Sequence, residues 1–167
     1  MMEAHSEGLD LNDDKPFQER FWTFQRFAWL AFALCVILAL AGLTGGGGPL
    51  SRATASGDAG TVDYPRVARW EASDALRIIL PESANRQVRI DIGSAFSEVF
   101  ELEDIQPQPS ASEATAEGLR FVFDLSDPPG ERRIVMHVRA MRPSLGRAMH
   151  IRINGGPALA FAPVVLP

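Results

Sequence analysis

Phe27–Leu43 reads FAWLAFALCVILALAGL, a run without a charged side chain. Seventeen helical residues rise about 26 Å, close to the roughly 30 Å hydrocarbon core of a bilayer. Phe21, Trp22 and Phe24 extend the apolar reach on the N-terminal side. Nine residues of the run are Leu, Ile, Val or Phe. At about −0.3 to −0.6 kcal/mol each they favour insertion by roughly 3 to 5 kcal/mol. The alternative is a buried helix of a globular core, but such helices usually keep a polar edge. The sequence therefore predicts one transmembrane helix over 27–43. Cys35, the single cysteine, lies inside it, which excludes an intrachain disulfide and a cysteine metal site.

Outward from the helix, charge predicts orientation. Lys15, Arg20 and Arg26 precede it, whereas Arg52 alone follows within about 20 residues. Positive residues collect on the cytoplasmic side. The N-terminus is thus expected in the cytoplasm and the C-terminal domain outside: a single-pass protein of the cell inner membrane with a periplasmic domain. Trp22 and Trp29 mark the inner membrane interface, and Arg26 can reach toward phosphates while its stem stays in lipid. Residues 16–26, PFQERFWTFQR, are expected as an interfacial helical lead-in. A cleaved signal peptide is the rival, since Ala53-Thr54-Ala55 fits a cleavage pattern. The leader is too long and the apolar run too extended for that reading.

Residues 1–15 are acidic, lack a hydrophobic face and are expected to be disordered. Residues 44–60 begin with Gly45-Gly46-Gly47-Gly48-Pro49 and continue in Ser, Ala, Gly and Thr. They are expected to form a flexible tether spanning roughly 20–25 Å. From residue 61 the hydrophobic period becomes two. Leu76–Leu80, Val88–Ile92, Leu119–Leu125, Ile134–Ala140 and Met149–Ile153 alternate as half-buried strands. Further strands are expected near Val62–Trp70, Val99–Gln106 and Leu159–Val165, with a helical turn near Ser94–Phe100. Turn signals at Pro81-Glu82-Ser83, Asp127-Pro128-Pro129-Gly130 and Asn154-Gly155-Gly156-Pro157 separate them. Seven or eight strands over 61–167 predict an all-β domain. An antiparallel β-sandwich, immunoglobulin-like or otherwise, is favoured over a small barrel.

Chemistry is sparsely signalled. There is no nucleophile elbow, zinc-protease motif, P-loop or dinucleotide fingerprint, so no catalytic, cofactor or metal residue is nominated. Met136-His137 and Met149-His150 suggest a copper donor set, but alternation turns each methionine inward and each histidine outward. Glu98, Glu101, Glu103 and Asp104 form an acidic run that could serve acid–base work; a solvated edge is the commoner use. Arg133, His137, Arg139, His150 and Arg152 are expected to share one side of two adjacent strands. That surface would meet anionic headgroups or an acidic partner. From Asp58 onward the chain has 12 basic and 15 acidic residues, which argues against nucleic-acid binding.

Glu19–Arg52 resembles a family of uncharacterised single-pass bacterial membrane proteins with a C-terminal β-rich domain. The resemblance rests on Trp22, Gln25, Arg26, Trp29, Gly42, Leu43, Gly45 to Gly48, Pro49, Leu50, Ser51 and Pro167. Val164-Val165-Leu166 is aliphatic where that family's ending is aromatic. Its members are often encoded beside YetF-type membrane proteins, which implies a membrane-protein partner; the resemblance supplies architecture and no mechanism.

The expected function is that of a non-enzymatic accessory or interaction module in the bacterial envelope. Its expected partners are the lipid bilayer and either a membrane protein or a second copy of the chain. The alternative is a periplasmic binding module for a small ligand, sugar or lipid. A third reading, a hydrolase using Glu101 or Glu103, names no substrate.

Overall fold

A computed structural model describes residues 15–44, 47–81, 86–125 and 132–167. Most of the acidic tail expected at 1–15 lies outside the described residues, as do Gly45, Gly46 and most of the turn signals at 81–83 and 127–130. The chain divides into two units, Met1–Ile37 and Leu38–Pro167.

Helix α1 (Lys15–Leu40) is uninterrupted. The lead-in expected at 16–26 and the span expected at 27–43 are therefore parts of one element. Arg20–Leu40, 21 residues, is long and apolar enough to cross a membrane. At 1.5 Å per residue it is about 32 Å long. Its large apolar side chains, Phe21 and Trp22 through Leu40, are exposed. The Arg26 guanidinium lies 4.9 Å from the Trp22 ring centroid, a cation–π contact. Trp29 meets Phe32 edge to face.

α1 stops at Leu40, three residues before the expected boundary. Gly42 takes φ +89°, its amide donates to Ala39 O at 3.0 Å, and Leu43 N–H donates to Leu38 O at 3.1 Å. This pairing is a Schellman motif, which satisfies carbonyls that the last turn leaves open.

The β domain is a sandwich. One sheet has the order β1 (Arg52–Gly57), β2 (Gly60–Pro65), β4 (Ser73–Leu80), β9 (Arg132–Ala140), β6 (Phe100–Gln106). The other runs β12 (Leu159–Phe161), β11 (Met149–Ile153), β5 (Gln87–Gly93), β8 (Gly118–Asp124), β7 (Ala111–Thr115). A third sheet joins β10 (Ser144–Leu145), β13 (Val164–Leu166) and β3 (Val67–Arg69), with β13 and β3 parallel. Short α2 (Ser94–Ser97) follows β5. Both large sheets keep free edges, so the domain is an open sandwich and not a closed barrel. Five strands on each side exceed the four and three of the simplest immunoglobulin arrangement.

The inward residues fill the core as alternation predicts: Leu76, Ile78, Ile134, Met136 and Val138 from one sheet, and Val88, Ile90, Phe121, Phe123 and Ile151 from the other. Tyr64 and Phe161 bring the two sheets' rings to 5.1 Å.

The tether expected over 44–60 needs correction. Residues 52–57 form β1, paired with β2 in six consecutive registers. Small polar residues read as loop, yet an edge strand needs only its backbone to pair. Arg52 adds a side-chain clamp: Nε donates to Asp63 Oδ1 at 2.9 Å, one terminal nitrogen to Asp74 at 3.1 Å, and the other to Ala75 O at 2.7 Å. Just before it, Leu50 N–H donates to Ala41 O at 3.0 Å, and Ser51 O accepts from Arg66 N–H at 2.7 Å and Val67 N–H at 3.3 Å. The Ser51 hydroxyl donates to Gly48 O at 2.7 Å. Ala53-Thr54-Ala55 lies within β1, so cleavage after it would remove Arg52 and over half of this strand.

A side chain at Gly42 would meet Gly47 O at 2.8 Å, and positive φ alone costs a non-glycine residue about 1–2 kcal/mol. Gly42→Val should therefore open this turn. Amide exchange at Leu50, read in the detergent-solubilised chain, should speed up at least tenfold; an unchanged rate would contradict the turn described.

Candidate functional site

The expected basic face does not form. Arg133, His137 and Arg139 stand on β9, whereas His150 and Arg152 stand on β11, in the opposite sheet. Alternation gives their inward or outward sense, since Met136 and Met149 are buried beside half-exposed histidines. It does not give sheet membership, because β9 and β11 are near in sequence but pair with different partners. The cations are also engaged. Arg139 Nε donates to Glu103 at 2.6 Å and Arg152 to Glu117 at 2.7 Å; Arg133 has interactions of its own.

The acidic run is likewise dispersed. Glu98 pairs with Arg147 at 2.5 Å. Glu103 accepts from the Ser73 hydroxyl at 2.8 Å as well as from Arg139. Its carboxyl is held below the usual value of 4.5, first by the Ser73 hydrogen bond and then by Arg139. Asp104 accepts from the Gln106 and Gln108 amides and is also lowered, chiefly by Gln106. A β-bulge between Leu102 and Asp104 sets Asp104 opposite His137. Glu98, Glu103 and Asp104 each have their own neutral or cationic partner, unlike a pair sharing a proton. Among the described residues no cluster of three His, Cys, Asp or Glu side chains could hold a metal.

The prominent concavity lies on the outer face of the β11-β5-β8-β7 strands. It is a cleft of ≈ 630 Å³ lined by residues including Asp91, Gly93, Glu113, Thr115, Glu117, Arg120, His150 and Arg152. Register explains it. Arg152, Asp91, Arg120 and Glu113 are successive cross-strand partners, a row of alternating charge across four strands. Arg120 Nε donates to Asp91 at 2.6 Å, with Glu113 at 3.9 Å. This hydrogen bond and the Asp91 charge raise the Arg120 pKa further.

In the next row Gly93 pairs with Gly118, and Gly118 with Thr115. The two glycines leave a bare floor between His150 and Thr115. His150 overhangs Gly93, whose added Cβ would lie 2.5 Å from the imidazole.

Such a row offers donors and acceptors to a polar ligand. It offers no nucleophile–base pair. His150 lies over Gly93 and Thr115 two strands beyond it, so roughly 14 Å of sheet separates the imidazole's strand from Thr115. A second, apolar depression is lined by Phe96, Phe100, Glu101, Leu102, Leu119 and Met141. Sequence reasoning missed the charged cleft because its signal, a cross-strand row plus facing glycines, exists only once register is known.

No protein-family model matches the chain, and no curated protein matches it.

The Glu103 shift sets a pH dependence. A carboxylate lowered in the folded state stabilises above its unfolded value near 4.5, and that contribution is lost as pH falls through the lower folded value. The β6–β9 edge should therefore lose amide protection below about pH 4.5. Glu103→Gln should flatten that dependence; an identical profile in the variant would contradict the pairing.

Proposed function

We propose that the chain is a single-pass inner-membrane protein acting as a non-enzymatic accessory or interaction module of the bacterial envelope. α1 spans the bilayer, the N-terminus is cytoplasmic and the sandwich is periplasmic. The observation that carries this reading is the 21-residue segment Arg20–Leu40, apolar and with none of its most hydrophobic window buried. A surface of that kind is stable in lipid and not in water. Arg26 stacked on Trp22 supplies an interfacial anchor together with Trp29. Arg52, counted against the orientation by position alone, is explained by its clamp on Asp63 and Asp74.

The non-enzymatic part is supported by the ion pairs, in which the acidic and basic side chains hold one another. The resemblance of Glu19–Arg52 to single-pass membrane proteins encoded beside YetF-type proteins supports a membrane-protein partner. Mild crosslinking in native membranes, followed by affinity purification in detergent and mass spectrometry, should yield one membrane protein at near-stoichiometric amount or a dimer of the chain. Recovery of the monomer alone would count against the accessory role.

A second reading, binding of a small polar ligand such as a sugar, is favoured by the ≈ 630 Å³ cleft alone. Its row of arginines and carboxylates suits hydroxyl groups. With Asp91, Glu113 and Glu117 opposing Arg120 and Arg152, it does not select a polyanion.

A further inference from the structure

Outside α1, the exposed large apolar side chains among the described residues are Leu43, Leu50, Trp70, Met141 and Leu145. All belong to one end of the β unit. That end is fixed by the pairs Arg52 with Pro65, Ser73 with Arg139, and Phe100 with Ala140. Trp70 lies between β3 and β4, its amide donating to Leu166 O at 2.7 Å. Met141 follows Ala140, its amide donating to Val99 O at 2.8 Å. Leu145 is opposite Val164, which is opposite Val67, the residue whose amide reaches Ser51 O. The turn at Asp58, at the far end of β1, shows no comparable group.

The exposures are large: 94% for Leu145, 49% for Trp70 and 45% for Met141 and Leu50. Arg66, Arg69 and Arg142 are exposed at the same end. Glu71 and Glu98 are there too, with Glu98 paired to Arg147. This is also the end at which the chain arrives from the helix. Leu50 is bonded to Ala41, and Ser51 to Arg66 and Val67, within the one unit Leu38–Pro167.

We propose that this end of the sandwich is a second membrane contact, in which Trp70, Met141 and Leu145 enter the headgroup layer and Arg66, Arg69 and Arg142 meet lipid phosphates. The proposal rests on α1 spanning the bilayer. Lipid is the occupant because the apolar groups protrude singly from separate segments, with Arg69 next to Trp70 and Arg142 next to Met141. Tryptophan and arginine favour that layer, and anionic headgroups attract the cations. The short hydrogen-bonded link joins the β unit at this same end.

The test uses the full chain with Cys35→Ser, at one chain per nanodisc of phosphatidylethanolamine and phosphatidylglycerol. An environment-sensitive fluorophore is placed at Leu145→Cys or, as control, at Asp58→Cys. β1 separates the control from Ser51 by about 20 Å. Spin-labelled lipid should quench the probe at 145 at least threefold more than the probe at 58, with a blue shift at 145 alone. Equal quenching in a chain that is incorporated overturns the docking and leaves anchoring intact. Failure to incorporate overturns both. A blue shift that appears only with several chains per disc makes the occupant a second copy and also overturns the proposal. Leu145 is too exposed for its replacement to disturb the core, which an unchanged circular dichroism spectrum checks.

Discussion

The backbone bonds around Ser51 close the link between a helix apolar enough to cross a membrane and the first strand of the sandwich. On one side, an apolar helix satisfies its polar backbone within itself, as hydrocarbon requires. On the other, the thirteen strands among the described residues satisfy theirs by pairing with one another. The Schellman turn at Gly42 closes the helix, and Ser51 O receives both Arg66 and Val67. Arg52 then locks β1 to β2 and β4 through Asp63, Asp74 and Ala75. Without these bonds the small residues of 47–57 would have no reason to order, since their side chains bury little surface.

The architecture beyond that point follows from pairing and burial. Inward Ile, Val, Leu, Phe and Met residues from two five-stranded sheets form one core. The outward side chains are settled by ion pairs along the register, above all the Arg152-Asp91-Arg120-Glu113 row. Surface pairs of this kind add little stability individually. What they determine is the shape and polarity of the outer faces, including the cleft over Gly93 and Gly118.

Much of this was legible in the sequence. β4, β5, β8, β9 and β11 announce themselves by alternation, and the α2 turn falls within the stretch expected. β1, β7 and β10 do not, because RATASG, ASEAT and SL carry no period-two pattern. Their exposed edges are held by main-chain bonds to a neighbour, and composition alone reads them as loop. Side-chain direction on β9 and β11 was legible from parity. Their division between two sheets depends on non-sequential pairing, so the single basic face dissolved into two ion-paired ones. The cleft was hidden for the same reason.

The central claim is that lipid is the solvent of α1. Its most direct measurement is the fate of the uncleaved chain when cells are broken without detergent and the membranes are washed with alkaline carbonate. The account predicts that the full-length chain sediments with the membranes and is released by detergent. Full-length chain in the aqueous supernatant would contradict it.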